Sequence, residues 1–270
     1  MSVATPPAKS PTPTAHAMVQ IDSQQRASLA LPWSVLLRHK FGNAFARMCG
    51  RRVHGQGLIG ASAQSVQGGF AGLAQGGFSH YNLPQVWVER RALPKAVHGR
   101  VPLHDASILD IGCGIGDSTW ILSQCGNASW RITGIDLEPG LIRAAEARAA
   151  AGEFRGRDGG VVKTAFGVAD ISAADLPDHP KLRGTTFNFA VSCGVVGLYL
   201  DAARARQLLC SLRVMLAPGS FAAIDCGPSV PRWTMQRTAK SLGFTFHGLV
   251  RSVPLDPRPK LLLQSGGPRG

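Results

Sequence analysis

A glycine-rich turn follows an apolar segment near the middle of the chain, in the run Ile108-Leu-Asp-Ile-Gly-Cys-Gly-Ile-Gly-Asp117. The apolar residues predict a buried strand, and the residues after the last glycine predict the start of a helix. Three alternating glycines, Gly112, Gly114 and Gly116, let the backbone turn sharply and approach a ligand more closely than a side chain would permit. The run therefore predicts a ligand-binding turn between a strand and a helix.

The spacing of these glycines differs from the nucleotide-binding pattern Gly-x-Gly-x-x-Gly. Asp110 stands just before Gly112, where a carboxylate would repel a pyrophosphate but attract the ammonium of a methionine moiety. The helix that begins beyond Gly116 offers backbone N–H groups to a carboxylate. The turn is therefore interpreted as a site for a ligand that carries a methionine moiety.

Two acidic residues follow the next two predicted strands. Asp136 ends the second strand, where a carboxylate can accept hydrogen bonds from both ribose hydroxyls of an adenosine. Glu138 is expected to start the following helix, since its charge suits the helix dipole. Asp170 follows the third strand and could accept a hydrogen bond from an adenine amino group while Ile171 covers the ring. Taken alone, Asp170 would be a helix cap about as often as a ligand contact.

Apolar segments alternate with helical segments from Ser107 onward, which predicts βαβ units and a mostly parallel sheet covered on both faces. Strands are predicted near 107–111, 131–135, 161–168, 187–193, 220–225, 244–250 and 259–264, and helices near 117–124, 139–150, 201–216 and 231–241. No helix separates the last two strands, so they are expected to form a hairpin that places one antiparallel strand in the sheet.

Together these motifs resemble the class I S-adenosylmethionine-dependent methyltransferases over about residues 106–263, a span that includes Leu216-Ala-Pro-Gly219 and Leu242-Gly-Phe244. The resemblance implies an α/β fold with a Rossmann-like seven-stranded sheet of order 3-2-1-4-5-7-6, helices on both faces and an N-terminal helical and glycine-rich cap. It also implies S-adenosylmethionine as the cofactor. The expected cofactor contacts are Asp110, Gly112, Cys113, Gly114 and Gly116 near the methionine end, Asp136 and Leu137 near the ribose, Asp170 and Ile171 near the adenine, and Cys193.

The sequence also departs from that family. Phe187-Asn-Phe189 stands where an acid often begins the fourth strand, and no Asn/Asp-Pro-Pro-aromatic motif is present. The missing motif argues against methylation of planar amino nitrogens on bases or on glutamine. Cys193 lacks the preceding proline and supporting acid of a cytosine-C5 nucleophile, so it is interpreted as a buried thiol at a strand end.

Catalytic side chains are not identified by any motif. Tyr199, His80, Tyr81 and His247 are candidates to orient or deprotonate an acceptor hydroxyl, although packing or surface roles are favoured for each one alone. No metal site is expected, because the six cysteines form no Cys-x-x-Cys pair and have no histidine at metal-ligand spacing. The cysteine pattern fits a reducing compartment.

Basic residues flank the predicted core. The net charge of +13 divides into +9 over residues 1–104, −3 over 105–200 and +7 over 201–270. Such flanks suit RNA, an anionic surface or an acidic substrate, and they equally suit solvated charges that keep a protein in solution. No apolar run approaches the roughly 20 residues of a transmembrane helix.

Three regions are predicted along the chain: a disordered tail over 1–25, a basic N-terminal cap or linker region over 26–104, and the S-adenosylmethionine-binding domain over 105–270. Within the second region, the basic amphipathic segment Leu31–Arg52 is either an organelle transit peptide or a helix that caps the site or rests on an anionic surface. Residues 55–78 contain eight glycines and are predicted to form a flexible loop, a lid or linker. A helix is expected over 80–97.

The favoured function is methyl transfer from S-adenosylmethionine to a small-molecule acceptor in the cytoplasm. One alternative is an RNA methyltransferase, possible in a mitochondrion or another organelle. The other is a non-catalytic subunit that keeps the methyltransferase fold within a larger assembly.

Overall fold

The computed structural model describes Met18, residues 62–71 and 78–252, Asp256, and residues 259–266. The segment Leu31–Arg52 lies outside these residues, as does the predicted tail over 1–25 apart from Met18. The side chains at positions 79–81, 83 and 84 also lie outside them. The first three helices and the two strands among them are α1 (Ala63–Ala71), α2 (Phe78–Val97), β1 (Ser107–Ile111), α3 (Asp117–Ser123) and β2 (Arg131–Asp136). The remaining elements are α4 (Pro139–Ala150), β3 (Lys163–Val168), a 3-10 helix (Leu176–Asp178), β4 (Phe187–Ser192), α5 (Val196–Tyr199), α6 (Ala202–Met215), β5 (Leu216–Asp225), α7 (Arg232–Ser241), β6 (Phe244–Val250) and β7 (Lys260–Ser265).

The seven strands form one sheet in the order β3-β2-β1-β4-β5-β7-β6. The neighbouring pairs from β3 to β5 are parallel, whereas β7 runs antiparallel to both β5 and β6. The predicted strand order and the predicted antiparallel hairpin are therefore confirmed. Ile111 is in register with Ile135 of β2 and Ser192 of β4. The loops that leave β1, β2 and β4 therefore lie side by side at the carboxyl ends of these parallel strands.

Apolar side chains fill both faces of the sheet. Leu109 and Ile111 belong to the core on one face, and Ile108 belongs to the core on the other, because alternate residues of a strand point to opposite faces. The C-terminal half of α2 contributes Leu93 and Val97, both fully buried, to the second core. Among the described helices, none has the length and hydropathy of a membrane span.

Side-chain caps fix where two of the helices begin. The Glu138 carboxylate accepts a hydrogen bond from the Gly140 backbone N–H at 3.0 Å, and Pro139 is the first residue of α4. The expectation that Glu138 starts this helix is confirmed. Asp201 caps α6 in the same way, through the Arg204 backbone N–H at 2.8 Å.

The glycine-rich stretch contains a helix where a loop was predicted, so that prediction was wrong for α1. Ser62 caps α1 with its hydroxyl, which accepts a hydrogen bond from the Ser65 backbone N–H at 3.2 Å. Val66 is buried, and the Phe70 ring packs on the Phe78 ring with centroids 6.1 Å apart. This packing compensates for the low helix propensity of the glycines in α1, because tertiary contacts supply most helical stability.

The fifth strand begins earlier than predicted. Leu216 pairs with Phe187, and the register shifts before Phe221 pairs with Phe189. The segment from Leu216 to Gly219, expected to precede the strand, is therefore its first part. The shift leaves Pro218 exposed, at a position where a residue without an N–H is tolerated.

Candidate functional site

The glycine turn after β1 is attached to the end of β2. The backbone N–H groups of Gly112 and Cys113 both donate to the Ile135 carbonyl oxygen, at 2.8 and 3.0 Å. Gly112, Gly114 and Gly116 have φ values of 68, 55 and 87°, a region in which other residues are strained. The turn therefore requires glycine at all three positions, and it holds its backbone next to the carboxyl end of β2.

Asp136 lies directly against this turn. Its Oδ2 accepts a hydrogen bond from the Gly114 backbone N–H at 2.9 Å, and its Oδ1 accepts one from the Glu138 N–H at 3.0 Å. Burial raises the pKa of Asp136, and these backbone donors oppose the rise. The structure thus joins the predicted ribose residue to the predicted methionine turn.

Asp110 lies beneath the turn and is fully buried. The Ser118 hydroxyl lies 2.9 and 2.7 Å from its two carboxylate oxygens, and the Thr119 hydroxyl donates to Oδ2 at 2.6 Å. Burial raises the pKa of Asp110 to about 6, although both hydroxyls lower it. In this geometry Asp110 ties the start of α3 to β1.

The predicted adenine residues lie at the next strand end. Asp170 Oδ1 accepts hydrogen bonds from the Ser172 backbone N–H at 2.8 Å and the Ser172 hydroxyl at 2.7 Å. Ile171 is buried in the core. The Ala169 N–H donates to the Asp136 carbonyl oxygen at 2.9 Å, which places this loop beside Asp136.

The remaining expected contacts differ in exposure. Leu137 and Cys193 are half-buried, whereas Cys113 is buried. A Cβ on Gly134 would lie 2.8 Å from the Cys113 Sγ, so this thiol fills the space above β2. Burial raises the pKa of both thiols well above the usual value, so both stay protonated at neutral pH.

One face of α2 lies across two loops, the glycine turn after β1 and the loop after β4. At its first turn, the Phe78 ring covers Gly114, because a Cβ on that glycine would approach the ring to within 2.8 Å. One turn later, the Asn82 amide donates to Asp117 Oδ2 at 2.8 Å. Phe78 and Asn82 therefore fix the start of α2 to the glycine turn and to the helix that follows it.

The same face of α2 continues to the loop after β4. Gln85 borders Gly194, whose Cβ would lie 3.1 Å from the Gln85 amide carbon. The Glu89 Oε1 accepts a hydrogen bond from the Gln85 amide at 2.6 Å and forms an ion pair with the Lys260 Nζ at 2.8 Å. Intervals of four, three and four residues from Phe78 to Glu89 keep these contacts on one side of the helix.

The loop after β4 is organised by Asp225 at the end of β5. Asp225 accepts a hydrogen bond from the Ser192 hydroxyl at 2.5 Å and from the backbone N–H groups of Val196 and Gly197 at 3.3 and 2.9 Å. The Lys260 ammonium adds a hydrogen bond to the Ser192 carbonyl oxygen at 2.6 Å. Sequence reasoning missed Asp225, Lys260 and Glu89, and the only available signal was an acid at a predicted strand end.

The catalytic candidates have different positions. The Tyr199 ring packs against the Phe70 ring with centroids 5.6 Å apart and nearly perpendicular planes, so Tyr199 lies in an aromatic cluster with Phe70 and Phe78. His80 and Tyr81 are on α2, but their side chains lie outside the described residues. His247 is on edge strand β6 and packs on Phe221, four strands from β1. Within the described part of the chain, no cluster of three His, Cys, Asp or Glu residues is arranged to hold a metal ion.

Comparisons with known proteins identify a domain and a fold that the chain shares with them. Residues 108–219 match a family model described as a methyltransferase domain. No curated protein sequence matches the chain. A magnesium protoporphyrin IX methyltransferase from Synechocystis PCC 6803, solved with bound S-adenosylmethionine, is 14% identical, covers 76% of this chain and 97% of its own, and has a TM-score of 0.55.

Two further solved structures have the same fold. A TehB-like S-adenosylmethionine-dependent methyltransferase from Corynebacterium glutamicum is 20% identical, with coverage of 75% of this chain and 97% of its own and a TM-score of 0.50. An S-adenosylmethionine-dependent methyltransferase from Clostridium acetobutylicum is 12% identical, with coverage of 72% and 99% and a TM-score of 0.54. The chain therefore contains a segment that matches a methyltransferase domain, and its sheet has the fold of these S-adenosylmethionine-dependent methyltransferases.

Proposed function

We propose that the chain transfers a methyl group from S-adenosylmethionine to a small-molecule acceptor enclosed beneath α2. The observation that carries this proposal is the continuous contact of one face of α2, from Phe78 to Glu89, with the loops after β1 and β4. A helix in this position covers the carboxyl ends of the parallel strands, where ligands of open α/β folds bind.

The residues at three adjacent strand ends fit the cofactor. Two backbone N–H groups hold the Asp136 carboxylate in place, and its remaining lone pairs can accept the ribose hydroxyls. Gly112 and Gly114 have positive φ angles and no side chain of their own, so the backbone of the turn lies close to that carboxylate, with Val195 and Phe78 packed on it. We assign the methionine end to this turn, with Cys113, Gly116 and Asp110 behind it, and the adenine to Leu137, Asp170 and Ile171.

When bound, the cofactor supplies a methyl group on a sulfonium, which is already activated for displacement. The protein then needs to align the acceptor and exclude water. Asp225 fixes the loop from Ser192 to Gly197 through three hydrogen bonds, and Cys193 lies within that loop. A rigid loop of this kind can position an acceptor without a general base.

The aromatic cluster of Phe70, Phe78 and Tyr199 supports an organic acceptor of modest size. Its rings come from α1, α2 and α5, and one of them, Phe78, covers Gly114 of the glycine turn. Apolar rings exclude water and pack on flat or hydrocarbon groups. We place the acceptor between this cluster and the loop after β4, with the Tyr199 hydroxyl as the candidate to orient it.

An RNA acceptor is the second candidate, because the chain carries a net charge of +13. The experiment that separates the two uses full-length protein with methyl-labelled S-adenosylmethionine and, in parallel, a metabolite extract or total RNA. We expect label in the metabolite fraction. Label in RNA alone would contradict the small-molecule acceptor, and a failure to bind S-adenosylmethionine in calorimetry would favour the non-catalytic subunit instead.

A further inference from the structure

The Gln85 side chain lies against the loop after β4 and takes no part in the cofactor contacts assigned above. It is on the face of α2 that packs on the two loops, and its amide carbon lies 3.1 Å from the Cβ position of Gly194. The next residue of that loop, Val195, packs against Gly112 of the glycine turn. Gln85 therefore borders the space in which we place the methyl acceptor.

The orientation of the Gln85 amide follows from its hydrogen-bond partner. The amide nitrogen donates to the Glu89 Oε1 at 2.6 Å, and the Lys260 ammonium lies 2.8 Å from the same oxygen. Because that carboxylate oxygen accepts from an ammonium, the amide presents its N–H group to Glu89 and its oxygen to the other side. The amide oxygen lies 3.2 Å from the Gly194 Cβ position and the nitrogen 3.4 Å. The ion pair therefore directs the Gln85 oxygen towards the loop.

The Gln85 oxygen has unused capacity to accept a hydrogen bond. Among the residues that the structure describes, no N–H or O–H group donates to it, and this oxygen is not sealed in the interior. The side chain as a whole is half-buried. A ligand that covers this oxygen without supplying a donor loses about 1–3 kcal/mol of binding free energy. The position therefore favours a ligand group that carries an N–H or O–H.

The buried charges beneath the loop disfavour an acidic acceptor. Glu89 and Asp225 contribute two carboxyl groups, and Lys260 contributes one ammonium, which is paired with Glu89 and donates to the Ser192 carbonyl oxygen. Within this cluster no cation is left for an acidic ligand. The Gln85 oxygen would also repel an oxygen of a carboxylate or a phosphate. The loop therefore selects against acids as well as for hydrogen-bond donors.

The change of charge during methyl transfer distinguishes an amine from a hydroxyl at this position. The lone pair of a neutral amine forms the new N–C bond, while the bond from that carbon to sulfur breaks and its electron pair goes to sulfur. Positive charge moves to the nitrogen, so its N–H donates more strongly to the Gln85 oxygen. The product ammonium then gives its proton to water. A hydroxyl must lose its proton to a base, and an amide oxygen does not serve as one at neutral pH.

The spacing along α2 indicates what else the acceptor carries. Phe78 and Gln85 are seven residues apart on one face of the helix, a separation of about 10 Å at the rise of an α-helix. The Phe78 ring belongs to the aromatic cluster with Phe70 and Tyr199. A small molecule of this length meets apolar rings at one end and the Gln85 oxygen at the other.

We propose that Gln85 binds the acceptor, and that the acceptor is a primary or secondary amine attached to an apolar group. The Gln85 oxygen accepts a hydrogen bond from the amine, and the ion pair of Glu89 and Lys260 holds Gln85 in the orientation that this requires. The inference rests on the proposed methyl transfer to a small molecule and names the class of that molecule. Carboxylates, phosphates and alcohols lie outside this class.

Binding of three matched probes to the full chain tests the class of acceptor. Phenethylamine, phenethyl alcohol and phenylacetate share a ring and differ in the terminal group, and calorimetry with S-adenosylhomocysteine present measures their affinities without turnover. We expect phenethylamine to bind at least about tenfold more tightly than phenylacetate, and Gln85→Met to weaken phenethylamine binding by at least about threefold. Gln207→Met is the matched control, since Gln207 is also half-buried but lies on α6, and it should change binding by less than about twofold.

Several binding results would overturn the inference. These are phenylacetate or phenethyl alcohol binding as tightly as phenethylamine, no binding of any of the three probes, and equal losses in the Gln85 and Gln207 variants. S-adenosylmethionine affinity and thermal stability, measured on both variants, should stay unchanged. A loss of both in Gln85→Met would mean that Gln85 only holds α2 in place.

The methyl-labelled metabolite extract provides a second test. We expect mass spectrometry to locate the label on the nitrogen of an amine. With that amine, Gln85→Met should lower kcat by at least about tenfold and raise KM by less, because the lost hydrogen bond strengthens in the transition state. Label on oxygen, sulfur or carbon of a metabolite would overturn the amine class and leave small-molecule methyl transfer standing. Label in no metabolite would contradict the proposed function, and this inference would fall with it.

Discussion

The Glu89 carboxylate and the Lys260 ammonium form an ion pair that is buried on both sides, with Oε1 and Nζ 2.8 Å apart. The pair joins α2 to the first residue of β7, and Lys260 also donates to the Ser192 carbonyl oxygen. Burial raises the pKa of Glu89, and Lys260 opposes the rise. The charge on the Glu89 carboxylate therefore depends on Lys260, a residue distant in the sequence.

Lys260→Met should destabilise the domain by about 3–5 kcal/mol, because it leaves the Glu89 carboxyl buried without its partner. Urea unfolding followed by circular dichroism measures the change. The double variant Glu89→Gln/Lys260→Met also removes the buried, unpaired carboxylate and should recover part of the lost free energy of unfolding. If the double variant were no more stable than Lys260→Met, the pair would not be coupled as the structure indicates.

Asp136→Ala should weaken S-adenosylmethionine binding by about 1–3 kcal/mol, because two ribose hydroxyls and the Gly114 N–H would lose their acceptor. Calorimetry on the folded variant measures this. Asp175→Ala is the control, since Asp175 is exposed and makes no capping hydrogen bond with its side chain. Unchanged affinity in Asp136→Ala would remove Asp136 from the cofactor site.

Gly114→Val should abolish cofactor binding. The substitution strains a φ of 55° and drives a side chain into the Phe78 ring, 2.8 Å from the new Cβ position. Gly159→Val provides a matched control, because Gly159 has a φ of 76° but no atom within 4 Å of its Cβ position. Binding by Gly114→Val equal to that of the control would show that the cofactor does not lie against this turn.

Asp110 should make stability depend on pH in a defined window. Its pKa is about 6 in the folded protein, against an ordinary value of 3.8, so the folded state holds this proton more tightly than the unfolded state. Stability from this group is therefore present below about pH 4 and is lost as the pH rises to about 6, by an amount on the order of 3 kcal/mol. Asp110→Asn keeps acceptors and donors for Ser118 and Thr119 but cannot titrate.

Urea unfolding at pH 4 and pH 6 tests this expectation. The difference between the two pH values should be smaller in Asp110→Asn than in the wild type, while other titrating groups contribute equally to both. An identical difference in the two proteins would mean that Asp110 has its ordinary pKa.

Local sequence patterns were sufficient to predict the sheet and the glycine turn. Each strand near the site is a short apolar run. Only a few residue types satisfy the geometry required at positions 112, 114 and 136, which are occupied by Gly112, Gly114 and Asp136. The expectation that Glu138 starts the next helix followed from its charge, which suits the helix dipole. These features depend on residues close together in the sequence, so a reading along the chain can find them.

The missed residues depend on contacts between distant segments. Glu89 and Lys260 belong to no sequence motif, and only the fold brings them together. Asp225 resembles any acid at a strand end until its hydrogen bonds to the loop after β4 are known. Helix α1 was missed for the same reason, since Phe70 needs the rings of Phe78 and Tyr199 to make a glycine-containing helix stable.

The two halves of α2 have different surroundings, and this has a kinetic consequence. Leu93 and Val97 anchor the C-terminal half in the core, whereas Phe78 and Asn82 hold the N-terminal half over the glycine turn through a ring contact and one hydrogen bond. A ligand that reaches Gly114 must first displace Phe78. We therefore expect the residence time of the cofactor to depend on the rate at which the first turns of α2 move away from the glycine turn. The C-terminal half of the helix should stay packed in the core during this movement.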